Sequence, residues 1–480
     1  MNWWLVIVAI LMAFVVLGLV FYLVFLYQHE EDRNQAWLPK AIVIFGLTLA
    51  CFNVLLLPYD VANRQDPDVQ NSAGGGIDTV LCWQIVMWSI AAMTILVVPF
   101  AIFYYEGMDP DQKNIFNQLK PAICYTTITT ILFIILLVTL WVTVGDAEIG
   151  YNLYKQAPGT VNGFIEMCPW APYVYQGAST PATLTIKVSP FVYMCGLLSA
   201  LGWILFFLFG GIGLAALPMD LISDFKNRPK PITVQEYTLR KENIGRETQA
   251  LMSEGRSLEE AEENGSTGRK HKKKMLAFKA KVGALEDAYE KLTVSYEQGG
   301  GKVLPLYLGL FVGCIGAVMS IMWVLQILIH NILDASPLLS AMFIAMDSGF
   351  TLFGTAAYGC FAFYLLWCVV KGCTKFGLNL LLFTVHPMKI GGTMMNSFLF
   401  NTLLILIASV SCVQFCAMSF RDYAANTAVD ALYLTYVSRL KGINYVNEYM
   451  QYPMGAIACL AFLWLAICPK CKRDDDEDDD

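Results

Sequence analysis

Nine stretches of this sequence contain no Asp, Glu, Lys, Arg or His: 3–27, 41–57, 80–105, 122–144, 190–217, 303–329, 349–370, 390–420 and 453–467. A helix rising ~1.5 Å per residue needs about 20 apolar residues to cross ~30 Å of hydrocarbon. Only helices and closed barrels satisfy their own backbone groups there, and runs this continuous read as helices. The chain is 56% hydrophobic and 15% charged, with mean hydropathy +0.53; a soluble protein carries about 25% charged residues. The expected fold class is therefore all-α, a polytopic membrane helical bundle of about nine transmembrane helices with a cytoplasmic helical hairpin. The second and ninth runs are near the short limit, and 377–385, ahead of His386 and Pro387, is interfacial or re-entrant. The first run has no basic n-region and no A-x-A site, so it reads as a retained span.

Charge sets the orientation. Segment 218–302 holds 16 of the 32 Lys and Arg residues and 14 of the 39 acidic ones. With that segment in the cytoplasm, the inside pieces carry 26 Lys and Arg and the outside pieces 6, as the positive-inside rule asks. The N-terminus then lies outside or in a lumen and the C-terminus in the cytoplasm. The organisation is a five-span region (1–217), the cytoplasmic segment (218–302), a four-span region (303–468) and an acidic tail (469–480). The seven acidic residues at 474–480 account for the whole net charge of −7, which leaves no basic balance for nucleic acid.

Two helices are legible in the cytoplasmic segment. Thr233 and Glu236 fit a capping box, and Tyr237, Ile244, Leu251 and Leu258 recur every seven residues. After a turn at 264–268, Met275, Phe278, Val282, Leu285, Tyr289, Leu292 and Tyr296 follow a 3-4-3-4-3-4 spacing, a coiled-coil seam. The seam docks a protein partner or pairs with its own neighbour. The basic run 269–274 at the tip attracts an anionic leaflet if it reaches one.

Smaller motifs add limits. Pro58-Tyr59-Asp60 and Pro218-Met219-Asp220 close two runs, as helix-stopping prolines should. Most of the 14 cysteines sit in or beside apolar runs as small hydrophobes. Cys82 and Cys168 fall at or beyond the outer edges and are a candidate lumenal disulfide. Cys373, Cys468 and Cys471 sit at the cytoplasmic face, where S-acylation occurs; Cys468 and Cys471 form a lone CxxC with no second metal-ligand pair. The four histidines are scattered, and no nucleophile motif, phosphate loop, metal site or cofactor site is legible, so no enzyme is expected. The loop 145–189, rich in Pro, Tyr and Gly, reads as an outer connection.

The blocks QHEEDRNQAWLPKAIVIFGL, LLLPYDVANR, PFAIFYYEG, GLAALPMDLI, FGTAAYGCFAFYLL and HPMKIGGTMMNSFLFN resemble the signatures of limb-region-type membrane proteins, the lipocalin-interacting membrane receptor group. The likeness covers nearly the whole chain and includes plant and protist members. The lysosomal cobalamin transport escort protein belongs to the same wider family; its outer loops carry glycosylation sequons, and the outer loops here have none. The motif positions carried by the resemblance are Pro58, Asp60, Tyr105, Glu106, Pro218, Asp220, His386 and Pro387. It implies nine spans, a large cytoplasmic loop, and a receptor or escort role at the plasma membrane or in endosomes and lysosomes. The expected partners are membrane lipid, a protein held by the hairpin and an outer ligand. The alternative is a channel, lipid-moving protein or transporter with an uncharged pathway, lined by Asn396, Ser397, Asn401 and Gln414.

An epitope inserted at residue 265 should be reached by antibody only after the cytoplasmic side is opened, and Asn264, in the sequon Asn264-Gly265-Ser266, should carry no glycan. Access from the lumen alone would reverse the orientation.

Overall fold

The computed structural model describes residues 3–29, 32, 37–64, 78–107, 115–154, 179–226, 228, 230, 232–263, 269–297, 303–333, 335, 337–350, 352–375, 379–380, 383–384, 388, 391–449 and 451–467. Among them, eight helices are long and apolar enough to cross a membrane. The expected ninth, α14 (Gln451–Ile467), is apolar but only 17 residues long. Contacts divide the chain into two compact units, Met1–Gly211 with Leu325–Ala456 and Ile212–Val324 with Ile457–Asp480.

The first unit holds α1 (Trp3–Tyr27), α2 (Trp37–Ala62), α3 (Thr79–Ala92), α4 (Val98–Glu106) and α5 (Ile115–Val144). A π turn at Met93–Val97 joins α3 and α4 into one span. Strands β1 (Asp146–Tyr154) and β2 (Ser179–Lys187) follow, then the first part of α6 (Pro190–Lys226). Later come α10 (Leu338–Gly349), α11 (Phe353–Lys375), the short strands β3 (Asn379–Leu380) and β4 (Phe383–Thr384), α12 (Met395–Ser419) and α13 (Asn444–Tyr449). The core is α12. It packs on α2, α11 and α4, and α2 packs in turn on α1, α11 and α3. Close approach is set by glycine: a Cβ on Gly46 of α2 would lie 2.7 Å from Thr402 of α12, and one on Gly372 of α11 would lie 2.7 Å from the Phe209 Cα of α6.

The second unit holds the rest of α6, α7 (Val234–Glu263), α8 (Arg269–Glu297), α9 (Val303–Gln326) and most of α14. Ala215 and Ala216 are buried against Ile212, Met219, Ala461 and Phe462. Helices α7 and α8 pack antiparallel: Tyr237 stacks on Tyr296 with ring centroids 4.2 Å apart, and Phe278 closes on Gly255. The Glu236 amide donates to Thr233 Oγ1 at 3.4 Å, the cap expected at the start of α7.

Three expectations need correction. First, the prolines do not stop their helices; α2 runs through Pro58 and α6 through Pro218. Proline leaves the carbonyl four residues earlier without its amide donor. For Pro218 that carbonyl is Leu214 O, and the Ser320 hydroxyl of α9 donates to it at 2.6 Å. Pro99 opens α4, and Thr130 of α5 donates to the Ile95 carbonyl at 3.5 Å. Second, the spanning helix α2 begins before and ends after its uncharged run, so it carries Lys40 and Asp60, both buried.

Third, the connection 145–189, expected as a loop, contains a nine-residue antiparallel ladder. Directly opposed residues share a face, so Ala147, Ile149, Tyr151 and Leu153 with Ile186, Leu184 and Ala182 make one side apolar. Asp146, Glu148 and Asn152 with Lys187, Thr185 and Thr183 make the other polar. Its base is pinned by Lys441 N–H to Asp146 O (2.9 Å), Trp141 Nε1–H to Val188 O (2.9 Å) and the Lys187–Asp146 ion pair (3.4 Å).

Gly372→Val should lower stability by about 1–3 kcal/mol through overpacking, whereas Gly18→Ala, whose Cβ would meet nothing within 4 Å, should not. Thermal unfolding in detergent compares them.

Candidate functional site

In hydrocarbon, ionisable side chains are costly and mark the places where a membrane protein works or is fastened. Among its described residues the first unit buries three carboxylates, each beside the start of a helix or helical turn. Asp60, near the end of α2, is 2% exposed. Its Oδ2 accepts from Trp83 Nε1 of α3 at 3.0 Å and from the Val429 amide at 2.8 Å, where a π turn (Asp430–Tyr436) begins. Asp347, at the end of α10, accepts from the Gly354 amide on Oδ1 (2.7 Å) and from the Tyr423 hydroxyl on Oδ2 (2.6 Å). Thr355 Oγ1 lies 2.9 Å from the same hydroxyl. Residue 354 has to be small, because a Cβ there would sit 2.8 Å from the Asp347 carboxyl carbon. A carboxylate at the first amides of α11 also faces the positive end of that helix.

Arg64 Nη1 donates to the carbonyls of Tyr423 and Ala425, 3.0 Å each. Around these groups the rings of Phe343, Tyr358, Phe420 and Tyr423 interlock, with Phe343 5.2 Å from Phe420 and Tyr358 5.7 Å from Tyr423. Burial, then the bond to Asp347, pushes the Tyr423 phenol above its ordinary pKa. The segment after α12 is thus fastened to α2, α3, α10 and α11 at once.

The third carboxylate, Asp32, accepts from Tyr105 OH (2.8 Å) and from the Met395 amide at the start of α12 (2.9 Å). Lys40 Nζ donates to the Asp32 carbonyl. Glu106 accepts from Asn396 Nδ2 at 3.1 Å. Between these layers the polar residues of α12 reach other helices. Gln414 Oε1 accepts from Trp203 Nε1 (2.9 Å) and from the Ser199 hydroxyl, and Ser411 donates to Ser199 O (2.7 Å). Asn53 of α2 donates to Ser409 (3.1 Å), and Gln326 to Ser419 O (3.0 Å).

Among the motif positions, Asp60, Tyr105 and Glu106 take part in these fastenings, while Pro58 packs against Gly359 of α11. Pro218 and Asp220 belong to the second unit. Cys82 is half-buried on α3 and Cys373 fully buried at the end of α11. Met275, Phe278, Val282, Leu285 and Leu292 are half-buried or buried along α8, and Tyr289 is exposed. Cys168, His386, Pro387, Cys468, Cys471 and the acidic tail lie outside the described residues. Asp32, Trp83, Asp347 and Tyr423 were not singled out in sequence; the one signal was a lone Asp closing an apolar stretch before glycine, at 347–349. Among the described residues, no three His, Cys, Asp or Glu side chains are grouped to hold a metal.

The family model described as LMBR1-like membrane protein matches residues 5–298 and 301–468. A LIMR family protein of Dictyostelium discoideum is 35% identical over 98% of this chain and 98% of its own length. One from Oryza sativa subsp. japonica is 35% identical over 98% and 97%, and one from Arabidopsis thaliana 34% identical over 96% of each. No solved structure matches.

Asp347→Ala leaves the Gly354 amide unmet, at about 1–3 kcal/mol, and removes one of the two partners of the Tyr423 hydroxyl, at about 1 kcal/mol more, with Thr355 Oγ1 as the partner that remains. Tyr423→Phe removes the contacts of its hydroxyl with Asp347 and Thr355 but leaves Asp347 bonded to the Gly354 amide, and should cost about 1–2 kcal/mol. Thermal unfolding in nanodiscs should rank Asp347→Ala below Tyr423→Phe.

Proposed function

We propose that this chain, which belongs to the LMBR1-like membrane protein family, is a non-catalytic receptor-like or escort protein. Its membrane part holds a partner or ligand, and its α7–α8 arm recruits trafficking machinery from the cytoplasm for endocytosis or for delivery to endosomes and lysosomes. The observation that carries the reading is the use of the polar residues on α12. Asn401 and Gln414 are 0% exposed, and Gln414 bonds the side chains of α6. A helix whose polar groups join its neighbours serves as a central post. The arm supports the second half: its apolar seam is half-buried between α7 and α8, and charged residues such as Arg246 and Glu242 stay exposed.

Deleting 233–296 should abolish co-isolation of cytoplasmic partners while the membrane part still inserts and extracts as a monodisperse species. An unchanged set of partners would contradict the arm's role. Transport of an ion, lipid or cobalamin by the purified chain alone would favour the pathway alternative.

A further inference from the structure

The first unit carries an apolar notch of about 50 Å³ over α2, between α1 and α11. Leu23 of α1, Ala50 of α2, Val370 of α11 and Ile405 of α12 line it, and Leu19 and Trp367 stand at its open rim, each 41% exposed. The volume is that of one or two waters, but an apolar cavity stays dry, and it is too small for a soluble ligand. In a bilayer, an unfilled notch would forfeit dispersion contacts along its whole lining. A methylene chain is the one molecule at hand with the right width and polarity.

Toward its end α11 turns basic. Phe363, Trp367, Lys371 and Lys375 recur every four residues, each turned about 40° from the last, and so form a stripe that winds slowly round the helix. Both lysines are half-buried. Lys371 follows Val370 directly, and Lys375 lies about 6 Å beyond Lys371 along the helix, the separation of the upper acyl chain from a headgroup. We propose that this stripe and notch hold one phospholipid with an anionic headgroup: an acyl chain lies in the notch beneath Trp367, and the phosphate and its headgroup meet Lys371 and Lys375.

The test is native mass spectrometry of the full chain released from nanodiscs of equimolar phosphatidylserine and phosphatidylcholine. The wild type should retain one phospholipid and favour phosphatidylserine by about fivefold for each lysine. Lys371→Ala with Lys375→Ala should keep the lipid and lose the preference. Leu19→Trp, which closes the rim, and Ala50→Phe, which fills the floor, should each reduce retention severalfold while helical content and monodispersity hold. If Ala50→Phe does not fold, Leu19→Trp decides alone. Equal retention of the two lipids by the wild type, or wild-type retention by the folded filled variants, would overturn the site and leave only annular lipid.

Discussion

Hydrocarbon offers no hydrogen-bonding partner, so a polar group that enters it is costly unless the protein supplies one. The two extremes of the first unit show how this sorts the sequence. On the lipid-facing side of α5 exposed threonines turn back onto their own helix: Thr127 donates to Ile123 O and Thr139 to Ile135 O, both at 2.7 Å, whereas the part-buried Thr130 reaches Ile95 O. On α12, where 83% of the window is buried, Ser411 and Gln414 reach α6 and Ser409 meets Asn53 of α2. Small polar side chains thus bond their own helix on the lipid side, and in the core Ser409, Ser411 and Gln414 bond residues of α2 and α6. The π turns and prolines follow the same rule, with Ser320 supplying the donor that Pro218 withholds from Leu214.

Among the described residues of the first unit, the buried carboxylates Asp32, Asp60 and Asp347 lie beside or near helix ends, and each has a structural task. Asp32, Asp60 and Asp347 take the first amides of α12, of the turn after Val429 and of α11. Each also holds an aromatic donor from another element: Tyr105, Trp83 and Tyr423. The pairing of helix start and aromatic tip fixes both the rotation of a helix and the path of the loop beside it. It ties Asp32, Asp60 and Asp347 into the packing of the helices.

Much of this was legible in sequence. Runs free of charge marked eight of the spans, though α2 and α6 extend past theirs, and the 3-4 spacing from Met275 to Tyr296 marked the helix that pairs with α7. What escaped depended on distant partners. Pro218 reads as a stop until Ser320, about a hundred residues on, is known to lie beside Leu214. Asp60 reads as an interfacial end until Val429 and Trp83 are placed around it. The β1–β2 ladder was missed for another reason: the period-two alternation of Ala147, Ile149, Tyr151 and Leu153 is present, but it is short and sits in a stretch rich in turn residues.

The central claim is that the polar side chains of α12 join helices and line no aqueous path. Accessibility of single cysteines in a cysteine-depleted background tests it most directly, with Asn401→Cys, Ser409→Cys and Gln414→Cys against Tyr445→Cys, whose site is 63% exposed. A charged thiol reagent, applied to permeabilised membranes, should modify position 445 fully and leave the three α12 positions unreacted. Rapid modification of positions 401 and 414 in the folded protein would show water running along α12 and would contradict the reading of that helix as a closed central post.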